Sequence, residues 1–177
     1  DDITYERYLR LINIFKECRF DEKKIFDRSE FIIQDVLFNT LLQKSNYDLL
    51  KIAQILKKDC TVIKGWIKKT NDSFEKKFYC DDFYYDYDMK IKQHIKVKSI
   101  SGISSLVICN KVTSVINVLK SEFIDISSDN YKISSLSRNH PKFNSINYWR
   151  GPTWINMTWM IIFGLRKNNY FSLADKI

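Results

Sequence analysis

The sequence predicts a mainly helical fold, an array of αα-hairpins in which short links join successive helices. Apolar residues recur every three or four positions along most of the chain, which is the spacing of one helix face. Only 4 of the 177 residues are glycine and 2 are proline, whereas an all-β sandwich needs many turns made from these residues. A chain of this length is able to bury a sizeable core.

The first half of the chain shows the helical spacing most clearly. Asn46 and Asp59 stand where helix-capping residues are expected, each just before a new apolar stripe. The four predicted helices cover residues 5–20, 29–43, 47–56 and 59–78, and residues 21–28 form a charged link. Short links between amphipathic helices are typical of αα-hairpins.

The second half is less regular. Aromatic and acidic residues predict a short extended or β insert near 79–98. Serine and asparagine predict a long loop over 127–147, and loops of that length in compact domains are usually functional. The remaining helices are expected at 102–109, 112–122, 152–166 and from 171 onward. Because the array has no closing element at either end, we expect one incomplete domain over 1–177, open at both ends.

Charge and composition favour no nucleic-acid or membrane partner. The formal net charge is +8, but the lysines occur as scattered pairs, and the abundance of Ile, Lys, Asn and Tyr is typical of AT-rich codon usage. The apolar run 157–165 is too short to span a bilayer, for which roughly 20 residues are needed. We expect it to form an inner helix that is buried on both sides. No signal peptide is visible, so the expected location is cytoplasmic.

The cysteines and histidines predict neither a metal site nor a cofactor. Four widely spaced cysteines contain no CxxC pair, so free thiols are expected rather than zinc ligands, and His94 and His140 lie apart from any catalytic pattern. The cysteines are Cys18, Cys60, Cys80 and Cys109.

The most informative segment is the aromatic motif, residues 148–156, in which two indoles, a phenol, a guanidinium and a carboxamide surround Gly151 and Pro152. Flat aromatic faces stack on the C–H faces of sugars, and Arg and Asn side chains bind hydroxyls or a carboxylate. Gly151 permits a tight turn, and Pro152 suits the first position of a helix. The motif predicts a sugar-binding loop at a helix N-terminus. A buried aromatic cluster that caps a core helix is the alternative.

Three segments in this order resemble motifs of the family 63 glycoside hydrolases, most closely their mannosylglycerate-hydrolase-like branch. Residues 31–42 are similar to the family's F-x-x-x-D-P-L-F-N-x-I-L helix, residues 83–102 to its Y-D-Y-D … S-x-x-G segment, and the aromatic motif to its Y-W-R-G-P-x-W-x-N motif. The chain departs from the family at Val36, where proline is usual, and at Ser104-Ser105. The resemblance covers nearly the whole chain and implies part of an (α/α)6 toroid.

The resemblance also implies a site for a small saccharide or glycoside, because the motif loop lines the sugar-binding end of the family's barrel. Asp35 and Asn39 are further candidates for lining the cavity, although helix packing or loop pinning explains them better. The substrate-binding residues implied by the motif are Tyr148, Trp149, Arg150, Gly151, Trp154 and Asn156.

The family hydrolyses glycosides with one carboxylic acid and one carboxylate base, and in inverting enzymes the two stand roughly 6.5–9.5 Å apart. The family's acid is an Asp upstream of the first similar segment, and its base is a Glu downstream of the aromatic motif. The resemblance therefore places both outside this chain, so we expect sugar binding without hydrolysis. The implied substrate of the parent glycosidase is mannosylglycerate, glucosylglycerate or a short α-glucoside.

Other functions fit some of these features. Asp86 and Asp88 fall on one side of an extended segment, where they suit an acid/base pair, a cation site or a hydrogen-bonded turn. A non-catalytic helical-repeat domain that binds a peptide or a sugar is the main alternative to a glycosidase. A nucleic-acid-binding protein would need its lysines on one face.

Overall fold

The structure is a computed structural model that describes residues 2–125 and 131–177, without the side chains of residues 2–4. It is mainly helical, as the sequence predicts. The chain divides into two compact units. The smaller unit contains Asp1–Ile33 and Asp88–Gln93, and the larger unit contains Gln34–Tyr87 and His94–Ile177. Among the described residues no helix is both long and apolar enough to cross a membrane.

The smaller unit contains two helices, α1 (Asp2–Glu17) and α2 (Glu22–Arg28). The first ends before the predicted residue 20 because Arg19 and Phe20 adopt left-handed φ angles of 52° and 57°. The charged link predicted over 21–28 is wrong, since these residues form α2. The Asp21 carboxylate caps this helix by accepting the Lys24 N–H at 2.9 Å.

The larger unit opens with a helical hairpin of α3 (Val36–Ile55) and α4 (Thr61–Phe78). The prediction of separate helices at 29–43 and 47–56 is wrong, because α3 continues through Asn46, which is buried within it. No glycine or proline interrupts this stretch. The Gln43 amide also ties the middle of α3 to α4 by donating to the Ile67 carbonyl at 3.0 Å. The predicted end of α4 at Phe78 is confirmed, and the helix starts at Thr61, the last residue of the predicted start Asp59-Cys60-Thr61.

The extended insert near 79–98 is confirmed as short strands. In the larger unit β2 (Tyr79–Cys80) pairs antiparallel with β3 (Phe83–Tyr84), with Tyr79 opposite Tyr84. The two turn residues between them, Asp81 and Asp82, have φ angles of 46° and 60°, as in a type I′ hairpin. The three points at which the chain passes between the units coincide with β1 (Ile33–Gln34), β4 (Tyr87–Asp88) and β5 (Gln93–His94).

A buried segment lies at the centre of the larger unit's core. It consists of α5 (Ile100–Ser104) and a 3-10 turn (Ser105–Val107), and it packs against α3, α7 and β3. Ile103 and Leu106 within it are fully buried. The later elements are α6 (Val112–Val118), a π-helical turn (Leu119–Phe123), α7 (Ile155–Lys167) and α8 (Phe171–Ala174).

Two glycines allow this segment to pack closely against its neighbours. A Cβ on Gly102 would lie 2.3 Å from Cε1 of Phe83 and 2.4 Å from the Tyr84 carbonyl oxygen. A Cβ on Gly164, in α7, would lie 2.8 Å from Cβ of Leu106. Both distances are shorter than van der Waals contact, so a side chain at either position would push elements of the core apart.

The helix α7 differs from its prediction in two ways. It begins at Ile155 rather than at Pro152, so the proline precedes the helix by three residues. It is also buried on one side instead of two. Ile161 and Leu165 are fully buried, whereas Trp159 is 69% exposed among the described residues.

Gly164→Ala should destabilise the larger unit, because the added methyl group meets Leu106 in a packed core. We expect the free energy of unfolding to fall by roughly 1–3 kcal/mol. The matched control is Gly65→Ala in α4, where a Cβ has nothing within 4 Å. This control should raise stability by roughly 0.5–1 kcal/mol, since alanine is the better helix former. Urea unfolding of both variants tests the pair, and equal effects would contradict the packing argument.

Candidate functional site

The segment that leads to the aromatic motif is anchored in the core rather than free at the surface. The loop predicted over 127–147 lies partly outside the described residues, and its described part starts at 131. Ile133 is fully buried and forms a β-bridge with Ile124, and Leu136 forms one with Ser99. These contacts hold the start of the loop against the rest of the larger unit.

Polar contacts fix the same segment from both sides. The Ser135 carbonyl accepts the Ile100 N–H at 3.0 Å, and the Ser135 hydroxyl accepts the Gly151 N–H at 3.0 Å. The Ser137 hydroxyl donates to the Glu122 carboxylate at 2.6 Å, and Lys98 pairs with the same carboxylate. Ser135 therefore links the buried segment at α5 directly to the aromatic motif.

Asn144 shapes the turn just before the motif. Its side-chain oxygen accepts the N–H groups of Ile146 at 2.9 Å and Asn147 at 3.2 Å, and its own N–H donates to the Arg150 carbonyl at 2.8 Å. Such local side-chain-to-backbone bonds are the reason that asparagine favours turns. The sequence alone does not single out Ser135 and Asn144, since nothing local distinguishes them from the other serines and asparagines of the loop.

The chain turns at Trp149 and not at Gly151. Trp149 has a left-handed φ of 51°, whereas no glycine in the described part of the chain has a positive φ. A left-handed conformation costs a non-glycine residue roughly 1–2 kcal/mol. Gly151 is needed for close approach, since a Cβ there would lie 2.4 Å from the Asn144 carbonyl oxygen. The predicted role of Gly151 as the tight turn itself is thus corrected.

Three aromatic rings of the motif form one cluster. Trp149 stacks on Trp154 with ring centroids 4.9 Å apart and planes inclined by 21°. Tyr148 meets Trp154 edge to face at 4.5 Å and Trp149 at 5.6 Å. Tyr148 is 67% exposed and Trp149 46% exposed, whereas Trp154 is half-buried. The accessible ring surface therefore belongs to Tyr148 and Trp149, and Trp154 is the base of the stack.

Polar groups lie beside this cluster. Arg150 and Asn156 are exposed, and neither side chain has a hydrogen-bond or ion-pair partner among the described residues. The indole N–H of Trp154 is buried, with no partner in the described structure. The cluster thus combines an open aromatic face with a guanidinium and a carboxamide that are available for a ligand.

Asp35 and Asn39 lie elsewhere in the larger unit, at the start of α3. The Asp35 carboxylate accepts the Phe38 N–H at 2.6 Å, and the Asn39 amide donates to the Asp35 carbonyl at 2.8 Å. No hydrogen bond joins either side chain to the aromatic motif in the parts of the chain that the structure describes. Both contacts hold the start of α3 and favour the alternative of helix packing or loop pinning for this pair.

Asp86, which follows β3 in the chain, also caps α3. Its Oδ1 accepts the Val36 N–H at 2.8 Å. Burial raises the pKa of Asp86 to about 6, and the negative charge of Asp35 adds to the rise, while the hydrogen bond from Val36 opposes it. Asp88 accepts the N–H groups of Lys90 and Ile91 at 2.8 and 3.1 Å. Asp88 therefore fits the hydrogen-bonded-turn alternative, whereas Asp86 holds the start of a helix 50 residues away in the chain.

The remaining titratable groups form no metal site in the described structure, where no group of three or more His, Cys, Asp or Glu residues is placed to hold an ion. The four cysteines are free thiols, and Cys18 and Cys109 are buried. The His94 ring is held by the backbone, with its Nε2 at 2.9 Å from the Lys77 carbonyl oxygen.

Similar proteins show the family of the chain. The whole chain, residues 1–177, matches the family described as the mannosylglycerate hydrolase MGH1-like glycoside hydrolase domain. The chain belongs to this family. It is 31% identical over 175 residues to a mannosylglycerate hydrolase of Thermus thermophilus, covering 98% of this chain and 42% of that protein. A mannosylglycerate hydrolase of Rubrobacter radiotolerans is 28% identical over 184 residues, covering 100% of this chain and 42% of the relative.

Solved structures agree with this assignment. A GH63 mannosylglycerate hydrolase from Thermus thermophilus in complex with glucose superposes with a TM-score of 0.91 at 28% identity, over 99% of this chain and 43% of that one. Neutral trehalase from Saccharomyces cerevisiae shares the fold alone, with a TM-score of 0.63 at 17% identity over 80% of this chain and 29% of that one. The predicted fold class, part of an (α/α)6 toroid, is confirmed, and the chain spans less than half the length of these relatives.

Ser135→Ala should loosen the aromatic motif, because it leaves the buried Gly151 N–H without an acceptor. An unsatisfied buried donor costs roughly 1–3 kcal/mol. We expect a loss of that size in urea unfolding, together with increased hydrogen exchange at residues 144–151. Ser121→Ala, which removes an exposed hydroxyl of the π-helical turn, is the control. Equal hydrogen exchange at residues 144–151 in the two variants would contradict the proposed anchor.

Asp86→Asn should change how stability depends on pH. The pKa of Asp86 is about 6 in the folded chain, against about 4 in an unfolded chain. The folded state therefore binds this proton more tightly, and the stabilisation is complete below about pH 4 and lost as pH rises through about 6. After discounting for solvent screening, this group should lower the free energy of unfolding by about 1–2 kcal/mol between pH 4 and 7.

The asparagine variant keeps an acceptor for Val36 and removes the titration, so its stability should decline less over this interval. Asp86→Ala also removes the acceptor and should be less stable than Asp86→Asn at pH 7. Urea unfolding at several pH values tests both statements. If the free energy of unfolding depends on pH in the same way for the wild-type chain and Asp86→Asn, Asp86 is not the group responsible.

Proposed function

We propose that this chain contributes to a glycosidase that cleaves an α-glycosidic bond in a small glycoside, and that its aromatic motif binds the sugar. The observation that carries the proposal is the open aromatic face of Trp149 and Tyr148, supported from behind by Trp154. A flat, exposed indole that is held rigidly is suited to stack on a pyranose ring.

The neighbouring polar groups suit the rest of such a ligand. The planar guanidinium of Arg150 offers several donors in fixed directions, which match a carboxylate or paired hydroxyls. The Asn156 amide offers both a donor and an acceptor. Because both side chains lack partners among the described residues, binding a ligand would break no existing contact of either group.

The proposed substrate class follows from the relatives. Related Thermus thermophilus structures are complexes with glucose and with Tris and D-glycerate, and the similar enzymes are mannosylglycerate hydrolases. Mannosylglycerate combines a sugar ring with a carboxylate, the two features that the aromatic rings and Arg150 would recognise. Glucosylglycerate and short α-glucosides share the ring and remain within the proposal.

The catalytic carboxylates are proposed to lie outside this chain, in an inverting mechanism with one general acid and one general base. The acidic residues considered from the sequence support this view, since Asp35, Asp86 and Asp88 all accept backbone N–H groups. The isolated chain should therefore bind a glycoside weakly and leave it intact. A cytoplasmic location is proposed on the free thiols of its four cysteines.

Trp149→Ala should abolish saccharide binding, because it removes the exposed face of the stack. Ligand-detected NMR with mannosylglycerate, glucose and D-glycerate measures the effect. The control is Trp159→Ala, which removes an exposed indole on α7, outside the cluster. Because the isolated chain should bind the sugar weakly, an affinity roughly tenfold lower should remove the sugar signal in the first variant, whereas the second variant should keep it.

Two outcomes would contradict the proposal. Equal sugar binding by the wild-type chain and Trp149→Ala would show that the aromatic motif does not bind the sugar. Hydrolysis of mannosylglycerate by the purified chain, if abolished by Trp149→Ala, would show that the chemistry lies within residues 1–177.

A further inference from the structure

An open cavity lies between the C-terminal parts of α3 and α7, whereas the aromatic motif lies at the N-terminal end of α7. Its volume of about 500 Å³ falls within the range of small-molecule sites. Its walls carry three lysines, Lys44, Lys51 and Lys167, and its apolar lining includes Val107 and Phe163. All of these residues belong to the larger unit.

The positive charges of this cavity are only partly compensated. The Asp48 carboxylate, which also lines it, pairs with Lys44, whose ammonium lies 5.2 Å from the centroid of the Phe163 ring. Lys51 has no hydrogen-bond or ion-pair partner among the described residues. Lys167 donates to the uncharged carbonyl of Val107 at 2.6 Å. Three ammonium groups and one carboxylate leave two positive charges without a counter-charge.

Burial lowers the pKa of the Lys167 ammonium, and the charges of Lys44 and Lys51 lower it further, while Cys109 opposes the shift. Lys167 stands in the last turn of α7, where a cation is favoured, but Lys51 has neither this setting nor a carboxylate partner in the described structure. Like charges that are close together reduce stability, so this cavity gains from the arrival of an anion.

We infer that this cavity binds a small phosphate monoester, with the phosphate between Lys51 and Lys167 and the organic group against Phe163 and Val107. A phosphate monoester carries a charge of about −1.5 to −2 at neutral pH, which matches the two free positive charges. Lysine ammonium groups bind phosphate as point charges. A monocarboxylate would leave one of the two ammonium groups uncompensated, and the apolar wall favours an ester over inorganic phosphate.

The test is isothermal titration calorimetry of the 177-residue chain with phenyl phosphate and with inorganic phosphate, at one fixed ionic strength. We expect phenyl phosphate to bind more tightly, and its affinity to fall as salt is added. Lys51→Gln should weaken binding roughly tenfold, as expected for a lost charged hydrogen bond. Lys167→Gln should weaken it similarly, but Lys51→Gln is the sharper test because Lys51 makes no other polar contact in the described structure.

The matched control is Lys23→Gln, which removes the same charge from an exposed position on α2. It should leave phenyl phosphate binding within twofold of the wild-type chain, and Trp149→Ala should also leave it unchanged. If Lys51→Gln and Lys23→Gln lose the same affinity for phenyl phosphate, the proposed site is wrong, because the effect would then reflect net charge. Absence of heat with phenyl phosphate, or tighter binding of a glutamate-rich peptide, would overturn the assignment to a phosphate monoester.

Discussion

The close packing of the buried segment at Ile100–Val107 is the constraint on which the larger unit depends. Gly102 lets it approach β3, and Gly164 lets α7 approach it, each at a distance that excludes even a Cβ atom. Added atoms at these points would meet ring atoms, backbone or a neighbouring Cβ, so a change of rotamer could not accommodate them. The separation of α5, β3 and α7 is therefore fixed by two residues without side chains.

Contacts with this core fix the position of the aromatic motif. Ser135 accepts one N–H from Ile100 with its carbonyl and one from Gly151 with its hydroxyl, so a single residue connects the centre of the unit to the motif. Asn144 closes the turn on the other side. These contacts offset the unfavourable left-handed conformation at Trp149, and the result is a supported aromatic face that does not have to be ordered when a ligand binds.

Local sequence signals predicted the elements whose ends are set locally. The end of α4 and the extended insert after it follow from apolar spacing and turn residues close in sequence. The division of α3 at Asn46 was wrong because the polar stretch Gln43–Asn46 resembles a helix end, whereas Gln43 in fact bonds to Ile67 of the next helix. Such a partner, 24 residues away, has no local signature.

The site also combines features that depend on nearby residues with features that depend on more distant ones. Residue types alone indicated an aromatic surface with polar neighbours, and the structure brings Tyr148, Trp149 and Trp154 together. The reason for Gly151 was not predictable, because the clash that it avoids is with the Asn144 backbone across the turn. Asp35 and Asn39 were only secondary candidates for the site, and sequence position does not reveal which polar side chains a helix N-terminus uses. Their contact with a sugar remains a prediction.

The stacked indoles have an optical consequence. Two of the four tryptophans of the chain lie nearly parallel with ring centroids 4.9 Å apart, close enough for their electronic transitions to couple. Coupled transitions give a paired signal of opposite signs in circular dichroism that vanishes when the rings separate. The ultraviolet circular dichroism of the chain therefore reports whether Trp149 and Trp154 are stacked, and this can be followed without a label.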